Sequence, residues 1–232
     1  MFDGHGGEQV SHLASEELPG IFADEITEEG AVNRVPDVLR NCIRKLNLMT
    51  QHMWPGSTVS LVFIPARSDR TGNDVATCAV MGDSPIIIKD ADGKINIGPD
   101  HNVRSNYEER RAAEARGGIV VGGYLSQSFD GIGLQMARAL GDSHLNKVLS
   151  REPEVYQVKL GAGSFVLVAS DGAFDPSHYG FKKAAEAVLK LVEEGAGAEA
   201  VVSRAVVIPT GDNVSVIIAR FVADHGLVSD EA

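Results

Sequence analysis

Four aspartates in this sequence stand beside glycines at points where an apolar stretch meets a loop. They occur in the segments Asp3-Gly4-His5-Gly6-Gly7, Gly82-Asp83-Ser84, Ser170-Asp171-Gly172 and Gly211-Asp212-Asn213. Carboxylates that converge on one rim of a fold cannot all stay ionised without cations, and hard oxygen ligands suit Mg²⁺ or Mn²⁺. Two such ions about 3.5–4 Å apart can hold a hydroxide and clamp a phosphoryl group for in-line attack. The set therefore indicates a metal site suited to phosphoryl chemistry.

Each of these segments also has a purely structural interpretation. Asp-Gly is common in turns, and an aspartate after a strand is common as a helix N-cap. For one segment alone that interpretation is the better one, but four segments of the same kind favour the metal site. A lone histidine is likewise more often a surface or core residue, so His5 gains interest only from its place beside Asp3.

Hydrophobic periodicity predicts the elements that would position these aspartates. Helices are expected over residues 8–28, 33–53, 105–116, 177–194 and 198–207. Strands are expected over residues 57–64, 74–81, 85–89, 94–97, 154–160, 164–170 and 213–222. Residues 119–147 are rich in glycine and predict irregular structure except at 134–140.

Proline and glycine residues refine this assignment of helices and strands. Pro19 predicts a kink or a break in the first helix. Asp92-Gly93 predicts a hairpin, and Gly161-Ala162-Gly163 predicts an antiparallel pair of the strands on either side of it. Antiparallel runs of strands with paired helices between them favour an α+β fold over a βαβ repeat. Without an internal repeat or linker, residues 1–232 are expected to form a single domain.

Composition and charge exclude several classes of partner. The chain has 21 Lys and Arg against 32 Asp and Glu, a formal net charge of −11. Such a surface repels nucleic acids and anionic membranes, and it repels phosphorylated substrates unless divalent cations reverse the local sign. The sequence has no membrane-length apolar run and no signal peptide, and Cys42 and Cys78 are too few for a disulfide framework. We therefore expect a cytoplasmic or nuclear protein.

Six motifs occur in the order found in one known family. They are Asp3-Gly4-His5-Gly6-Gly7, Gly82-Asp83-Ser84, Asp100-His101, Ala137-Arg138-Ala139-Leu140-Gly141-Asp142, Ala169-Ser170-Asp171-Gly172-Ala173-Phe174-Asp175 and Asp212-Asn213-Val214-Ser215-Val216. In this order the chain resembles the PP2C-type (PPM) metal-dependent protein phosphatases, which remove phosphate from serine and threonine. The resemblance implies a β-sandwich of two antiparallel sheets flanked by helix pairs, with the metals at one end. It also implies a phosphorylated protein as substrate and a flap at about residues 122–146 beside the site.

The resemblance assigns metal ligands residue by residue. Asp3 would bridge two Mg²⁺ or Mn²⁺ ions, and Gly4 would offer its carbonyl oxygen. Asp171 and Asp212 would bind the second ion as well. Asp83 would bind a third, more loosely held ion that it shares with Asp171.

The catalytic roles also follow from the resemblance. A hydroxide that bridges the metals at Asp3 would attack phosphorus directly, and His5 would protonate the serine or threonine oxygen as it leaves. An ordinary histidine pKa of about 6.5 suits that task near neutral pH. Asp175 is a weaker candidate, for the network of metal-bound water.

The sequence departs from the family pattern at three places, the mildest of which is Phe174, where tryptophan is common. The family usually has two more strands before the first motif, with an arginine that grips the phosphate and a Glu-Asp pair near the metals. This sequence starts at Met1, and Pro85 stands where the family often has arginine. We therefore expect an N-terminally incomplete domain with an unpaired sheet edge, through which chains could associate. A catalytically weak or inactive phosphatase-like module that binds a protein partner is the alternative.

Overall fold

A computed structural model describes residues 1–28, 30–65, 74–174, 180–207 and 211–221. The α-helices in these ranges are α1 (Gln9–Thr27), α2 (Val35–Thr50), α3 (Tyr107–Ala115), α4 (Phe181–Glu193) and α5 (Ala198–Val207). The β-strands are β1 (Gly4–His5), β2 (Gly56–Ser57), β3 (Val59–Phe63), β4 (Asp74–Met81), β5 (Ile86–Lys89), β6 (Ile95–Ile97), β7 (Ile119–Val121), β8 (Tyr124–Ser126), β9 (Leu140–Gly141), β10 (Glu154–Leu160), β11 (Phe165–Ala169) and β12 (Val216–Arg220). The predicted α+β class is confirmed. Residues 177–179 and 222, which the sequence assigns to a helix and a strand, lie outside the described ranges.

Two antiparallel sheets form the centre of the fold. One has the strand order β10-β4-β3 and the other the order β12-β11-β5-β6. Side chains alternate along a strand, so every second residue of each sheet points toward the other sheet. These inward residues form one buried cluster of Ala76, Cys78, Val80, Ile86, Ile88, Leu160, Val166 and Val168. The predicted β-sandwich is therefore confirmed.

A pair of helices covers the outer face of each sheet. Helices α1 and α2 pack on β3 and β4, where Ile43 and Leu46 share a buried cluster with Met81. Helices α4 and α5 pack on β11 and β5, where Val188 shares a buried cluster with Leu167. Each buried side chain of this size contributes roughly 1.5–3 kcal/mol to the free energy of unfolding. The helix pairs therefore stabilise the sheets whose strand ends carry the aspartates. Within the described ranges, no helix combines the length and the apolar character that crossing a membrane requires.

The two predicted hairpins have different outcomes. Strands β5 and β6 pair as predicted, with Ile87 opposite Ile97. The pairing predicted around residues 161–163 is wrong: β10 pairs with β4 along its whole length, and β11 lies between β12 and β5. The chain crosses from one sheet to the other at this glycine-rich link. The glycines there predict a change of chain direction, but the local sequence does not specify which strands pair with each other.

Helix α1 runs through Pro19 without a break. Proline lacks the main-chain N–H that would bond the carbonyl of Ser15, four residues earlier. Both residues are exposed, so water can satisfy that carbonyl. The buried side of the helix, at Val10 and Ala14, is unaffected and holds the helix on the sheet.

The segment predicted as irregular contains a hairpin that the sequence analysis missed. Strands β7 and β8 pair around Gly122 and Gly123, whose φ angles are 60° and 82°. Two central residues with positive φ are what a tight hairpin turn needs, and glycine adopts them without strain. The stretch 134–140 forms isolated bridges rather than a long strand, and only its last residue belongs to β9. Leu125, Leu145 and neighbouring side chains form a separate buried cluster here.

One side of the sandwich, between β3 and β12, opens into an apolar groove of about 420 Å³. Ile217 of β12 stands opposite Val168 on the inward face, yet it is 56% exposed. Part of the β3 edge is covered, because Ser60 and Met1 exchange two main-chain hydrogen bonds of 2.9 and 3.0 Å. Association through an unpaired sheet edge stays a prediction.

Candidate active site

The loop that carries Asp3 lies against β2 and the start of β3. The Asp3 main-chain N–H donates to Thr58 Oγ1 at 3.1 Å, and the Asp3 carbonyl accepts the Thr58 N–H at 2.9 Å. Ser57 Oγ donates to the same carbonyl at 3.2 Å. Thr58 and Ser57 are buried, so these bonds fix the main chain of Asp3 while its carboxylate is only partly covered.

Strand β1 carries Gly4 and His5 in a small sheet with the order β1-β2-β9. Gly56 of β2 lies between His5 of β1 and Gly141 of β9. His5 Nε2 lies 2.7 Å from Asp142 Oδ2. Burial by itself lowers the pKa of His5, but the hydrogen bond and the charge of Asp142 outweigh it, so the pKa lies above its usual value.

Asp83 lies in the turn that follows β4. Gly82 has a φ of 112°, and a Cβ there would come within 2.7 Å of Thr58 Cγ2, so the turn requires glycine. Asn102 Nδ2 donates to Asp83 Oδ2 at 2.8 Å. Thr58 Oγ1 and Ser84 Oγ are 2.8 Å apart, so buried hydroxyls join this turn to the Asp3 loop.

Asp171 and Asp212 lie on two loops that pack closely together. Asp171 follows β11 and begins a short 3₁₀ turn, and Asp212 precedes β12. A Cβ on Gly172 would overlap the Asn213 carbonyl oxygen and lie 3.2 Å from Asp212 Cβ, so only glycine permits this approach. Ser170 Oγ donates to the Asn213 carbonyl at 3.2 Å. Neighbouring strands β11 and β12 thus bring both aspartates to one end of the sheet.

The charges of the predicted ligands meet at Asp3. Burial, followed by the charges of Asp171, Asp212 and Asp83, raises the pKa of Asp3 to about 7, and His5 opposes that rise. Charges are screened over about 8 Å at physiological salt, so the other three aspartates lie close enough to Asp3 for their charges to act on it. The loops that carry them therefore lie toward the same end of the sandwich. Their roles as metal ligands stay a prediction.

This set of donors fits divalent cations. Without a cation, one carboxylate of the set holds a proton up to about neutral pH, which is the behaviour of Asp3. In the described part of the chain, no three of these carboxylates have oxygens that all lie within 4.8 Å of one another. Mg²⁺ usually keeps several waters and binds one or two carboxylates, so a compact protein cage is not required.

A compact cluster of potential ligands occurs elsewhere, where His101, Glu109 and Glu154 offer atoms within 4.8 Å of one another. Arg138 forms ion pairs with Glu109 and, at 3.0 Å, with Glu154, so both carboxylates are compensated without a metal. His101 Nδ1 accepts the main-chain N–H of Gly82 at 3.1 Å. The cluster therefore supports the turn after β4, a function that the Asp100-His101 motif did not reveal.

Three residues that hold the site were not indicated by the sequence. Thr58 and Asn102 belong to no motif, so only the folded structure identifies them. Asp142 ends the fourth of the six motifs, but nothing in that motif indicates a bond to a histidine 137 residues earlier. Asp175 lies outside the described residues.

Comparison with known proteins decides the family. The sequence model of the family described as "Protein phosphatase 2C" matches residues 1–207. The chain belongs to the protein phosphatase 2C family. Among its relatives in this family, Protein phosphatase 2C 70 of Arabidopsis thaliana is 29% identical over 94% of this chain and 40% of its own length. Protein phosphatase 2C homolog 1 of Schizosaccharomyces pombe is 25% identical over 99% of this chain and 65% of its own length. The chain thus spans less than two thirds of either relative.

Solved structures agree with this protein phosphatase 2C assignment. A Caenorhabditis elegans sex-determining protein superposes with a TM-score of 0.72 and 27% identity over 94% of this chain and 54% of its own. The catalytic domain of the serine/threonine protein phosphatase PstP, solved with two manganese ions, superposes with a TM-score of 0.57 and 21% identity. That alignment covers 95% of this chain and 86% of PstP, and at this identity it establishes the fold.

Proposed function

We propose that this chain hydrolyses phosphate esters of serine and threonine in proteins with bound Mg²⁺ or Mn²⁺. The observation that carries the proposal is the arrangement of the four loops: Thr58 joins the loops of Asp3 and Asp83, Gly172 beside Asp171 packs against Asp212, and the charges of Asp171, Asp212 and Asp83 all act on Asp3. Carboxylates held together against their mutual repulsion need cations to stay ionised. Membership of the protein phosphatase 2C family supports phosphate-ester hydrolysis as the reaction.

Five residues would hold the metals. Asp3 and the Gly4 carbonyl, with Asp171 and Asp212, would hold two ions, and Asp83 would share a third, more loosely held ion with Asp171. Bound there, the ions would supply a hydroxide nucleophile and the positive charge that a phosphoryl group needs on a chain of net charge −11. The two manganese ions of PstP support Mn²⁺ as one of the metals.

His5 would protonate the leaving oxygen. It follows Asp3 by two positions on the same short segment, and the charges of the two residues act on each other. As the bond between phosphorus and the serine or threonine oxygen breaks, His5 gives its proton to that oxygen. Water supplies both the oxygen that bonds to phosphorus and the proton that restores the ring. The products are the free hydroxyl side chain and inorganic phosphate, without a covalent intermediate.

The flap at residues 122–146 would contact the protein part of the substrate. It exposes large apolar side chains, since Phe129 is 84% exposed, Ile132 64% and Tyr124 45%. Three such side chains within residues 124–132 would suit contact with a protein substrate. The flap would belong to a single domain that spans residues 1–232.

The decisive experiment measures phosphate release from phosphoserine and phosphothreonine peptides with Mn²⁺, for the wild type and for Asp171→Asn. Asp24→Asn is the matched control, because it neutralises an exposed carboxylate on α1. We expect turnover by the wild type and the control, and background rates for Asp171→Asn and for any variant in EDTA. Turnover that survives both Asp171→Asn and EDTA would rule out the metal-dependent mechanism.

Calorimetry with Mn²⁺ distinguishes the enzyme from the inactive binding module. Two tight binding events that Asp171→Asn weakens and Asp24→Asn preserves support the enzyme. No heat of binding at millimolar Mn²⁺ would favour the inactive module instead.

A further inference from the structure

The side chains of His5 and Asp142 are brought together by the small sheet β1-β2-β9. In this sheet Gly56 pairs with His5 on one side and with Gly141 on the other. Asp142 directly follows Gly141, and its Oδ2 lies 2.7 Å from His5 Nε2. The His5 side chain is 25% exposed and that of Asp142 only 3%, so the bond is shielded from water.

Gly56 leaves room for this bond. A Cβ at that position would overlap both Asp142 Oδ2 and His5 Nε2. The main chain of β2 therefore approaches the His5 and Asp142 side chains so closely that only glycine fits beside them.

Asp142 has an unusual backbone conformation. Its φ of 48° and ψ of 51° are left-handed, and no other non-glycine residue in the described ranges has a positive φ. Such a conformation is strained for a residue with a Cβ and persists only where the surroundings impose it. Here they do, since the Asp142 N–H donates to the Pro55 carbonyl at 3.0 Å and its carbonyl accepts the Leu145 N–H at 2.8 Å. Strain kept at one buried, charged residue points to a functional role.

A carboxylate only accepts hydrogen bonds, so the 2.7 Å bond requires a proton on His5 Nε2. In the neutral ring Nδ1 is then the nitrogen without a proton. Nδ1 is also the nitrogen that remains available to exchange a proton with a bound group. Arg151 lies near Asp142 and interacts favourably with its charge, and its Nη2 donates to the Gly141 carbonyl at 2.6 Å.

We propose that Asp142 is a positioning residue that keeps a proton on His5 Nε2 and directs Nδ1 to the leaving oxygen, so that the doubly protonated ring gives its Nδ1 proton to that oxygen and becomes the neutral Nε2-protonated tautomer. The proposal rests on the proposed function, in which His5 protonates that oxygen. Asp142 touches neither the phosphoryl group nor the metals. It acts through the orientation and the tautomer of the ring.

The first experiment reads the tautomer directly and does not depend on activity. Nitrogen-15 NMR of the histidine rings, in Mg²⁺-loaded protein at a pH where His5 is neutral, separates protonated from unprotonated ring nitrogens. We expect Nε2–H in the wild type and in the control Asp24→Asn. Asp142→Asn is expected to give a mixture of tautomers. A wild-type Nδ1–H tautomer, or an unchanged ring in Asp142→Asn, would overturn the proposal even if the chain proves inactive.

The second experiment compares two leaving groups. Phenyl phosphate needs a proton on its leaving oxygen, whereas p-nitrophenolate leaves more readily without one. We expect Asp142→Asn to lower kcat about 10- to 100-fold for phenyl phosphate and less than about threefold for p-nitrophenyl phosphate. Equal losses for both substrates would contradict a positioning role. An inactive wild type would instead reject the proposed function and leave the NMR result to decide the tautomer.

Asp142→Gly separates this role from stability. Glycine tolerates the left-handed conformation, so the variant removes the carboxylate and relieves the strain together. We expect an unchanged or higher Tm together with the same leaving-group selectivity as Asp142→Asn. A fall in Tm that accompanies equal losses on both substrates would show that Asp142 is merely structural.

Discussion

Thr58 binds Asp3 twice, because its hydroxyl accepts the Asp3 N–H at 3.1 Å and its own N–H donates to the Asp3 carbonyl at 2.9 Å. The same hydroxyl lies 2.8 Å from Ser84 Oγ, in the residue after Asp83. One buried side chain thus connects two of the loops that carry proposed metal ligands. The site therefore depends on the link between β2 and β3 as well as on its carboxylates.

Thr58→Val tests this connection. It removes the hydroxyl and leaves the Asp3 N–H without that partner, which costs about 1–3 kcal/mol of unfolding free energy. We expect weaker Mn²⁺ binding by calorimetry, because the Asp3 loop loses its anchor. Thr77→Val is the control: Thr77 is similarly buried, and its Oγ1 accepts a bond from Gln157 away from the site. The control should lose stability but keep its Mn²⁺ affinity, and an equal loss of affinity in both variants would refute the connection.

Asp3 makes the stability of the metal-free protein depend on pH. Burial and the neighbouring carboxylates raise its pKa from 3.8 to about 7 in the folded state. The folded state therefore holds a proton that the unfolded chain releases, and stability is lost as pH rises from about 4 through about 7. A shift of this size corresponds to at most about 4 kcal/mol.

Asp3→Asn is expected to remove that loss. In EDTA at a pH above 7, we expect the variant to have a higher Tm than the wild type, and its Tm to vary less between pH 4 and pH 7. The raised pKa of His5 adds a loss of the same sign, and the variant keeps part of it, because Asp142 and Asp83 raise that pKa as well as Asp3. Saturating Mg²⁺ should reverse the order, because only the wild type gains binding energy. If the Tm of both proteins in EDTA varied with pH in the same way, the pKa of Asp3 would not be raised by its surroundings.

Gly56→Ala should separate His5 from Asp142 without changing either residue. Its Cβ would overlap both partners, so we expect the selective loss of phenyl phosphate turnover described for Asp142→Asn. Gly20→Ala is the matched control, since its Cβ meets no atom within 4 Å on α1. Alanine favours a helix over glycine by about 0.5–1 kcal/mol, so the control should be slightly more stable and fully active. Full activity of Gly56→Ala on phenyl phosphate would mean that the pair is dispensable.

The sequence predicted the aspartates and the strands that carry them because both depend on local patterns. The alternation over 74–81 defines β4, and Asp83 follows it at the rim. The sequence could not predict that β10 pairs with β4 while β11 joins the other sheet, because that choice depends on packing between distant segments. The sequence did not indicate Asp142 for a related reason: its proposed role depends on strand pairing through Gly56. Residue types thus suggested the chemistry, and the fold revealed the residues that would orient it.

Because one side of the sandwich is open, we expect two isoleucine-to-alanine substitutions to lower the free energy of unfolding by unequal amounts. Ile88 and Ile217 both face the interior, but Ile88 is fully buried and Ile217 is 56% exposed at the groove between β3 and β12. We expect Ile88→Ala to cost about 2–5 kcal/mol, since it leaves a cavity in a close-packed core. Ile217→Ala should cost less than about 1 kcal/mol, because half of its side chain already contacts water. Urea denaturation of both variants measures the difference. If Ile217→Ala proved as costly as Ile88→Ala, the groove would be covered in solution, and sedimentation at several protein concentrations would show whether a second copy covers it.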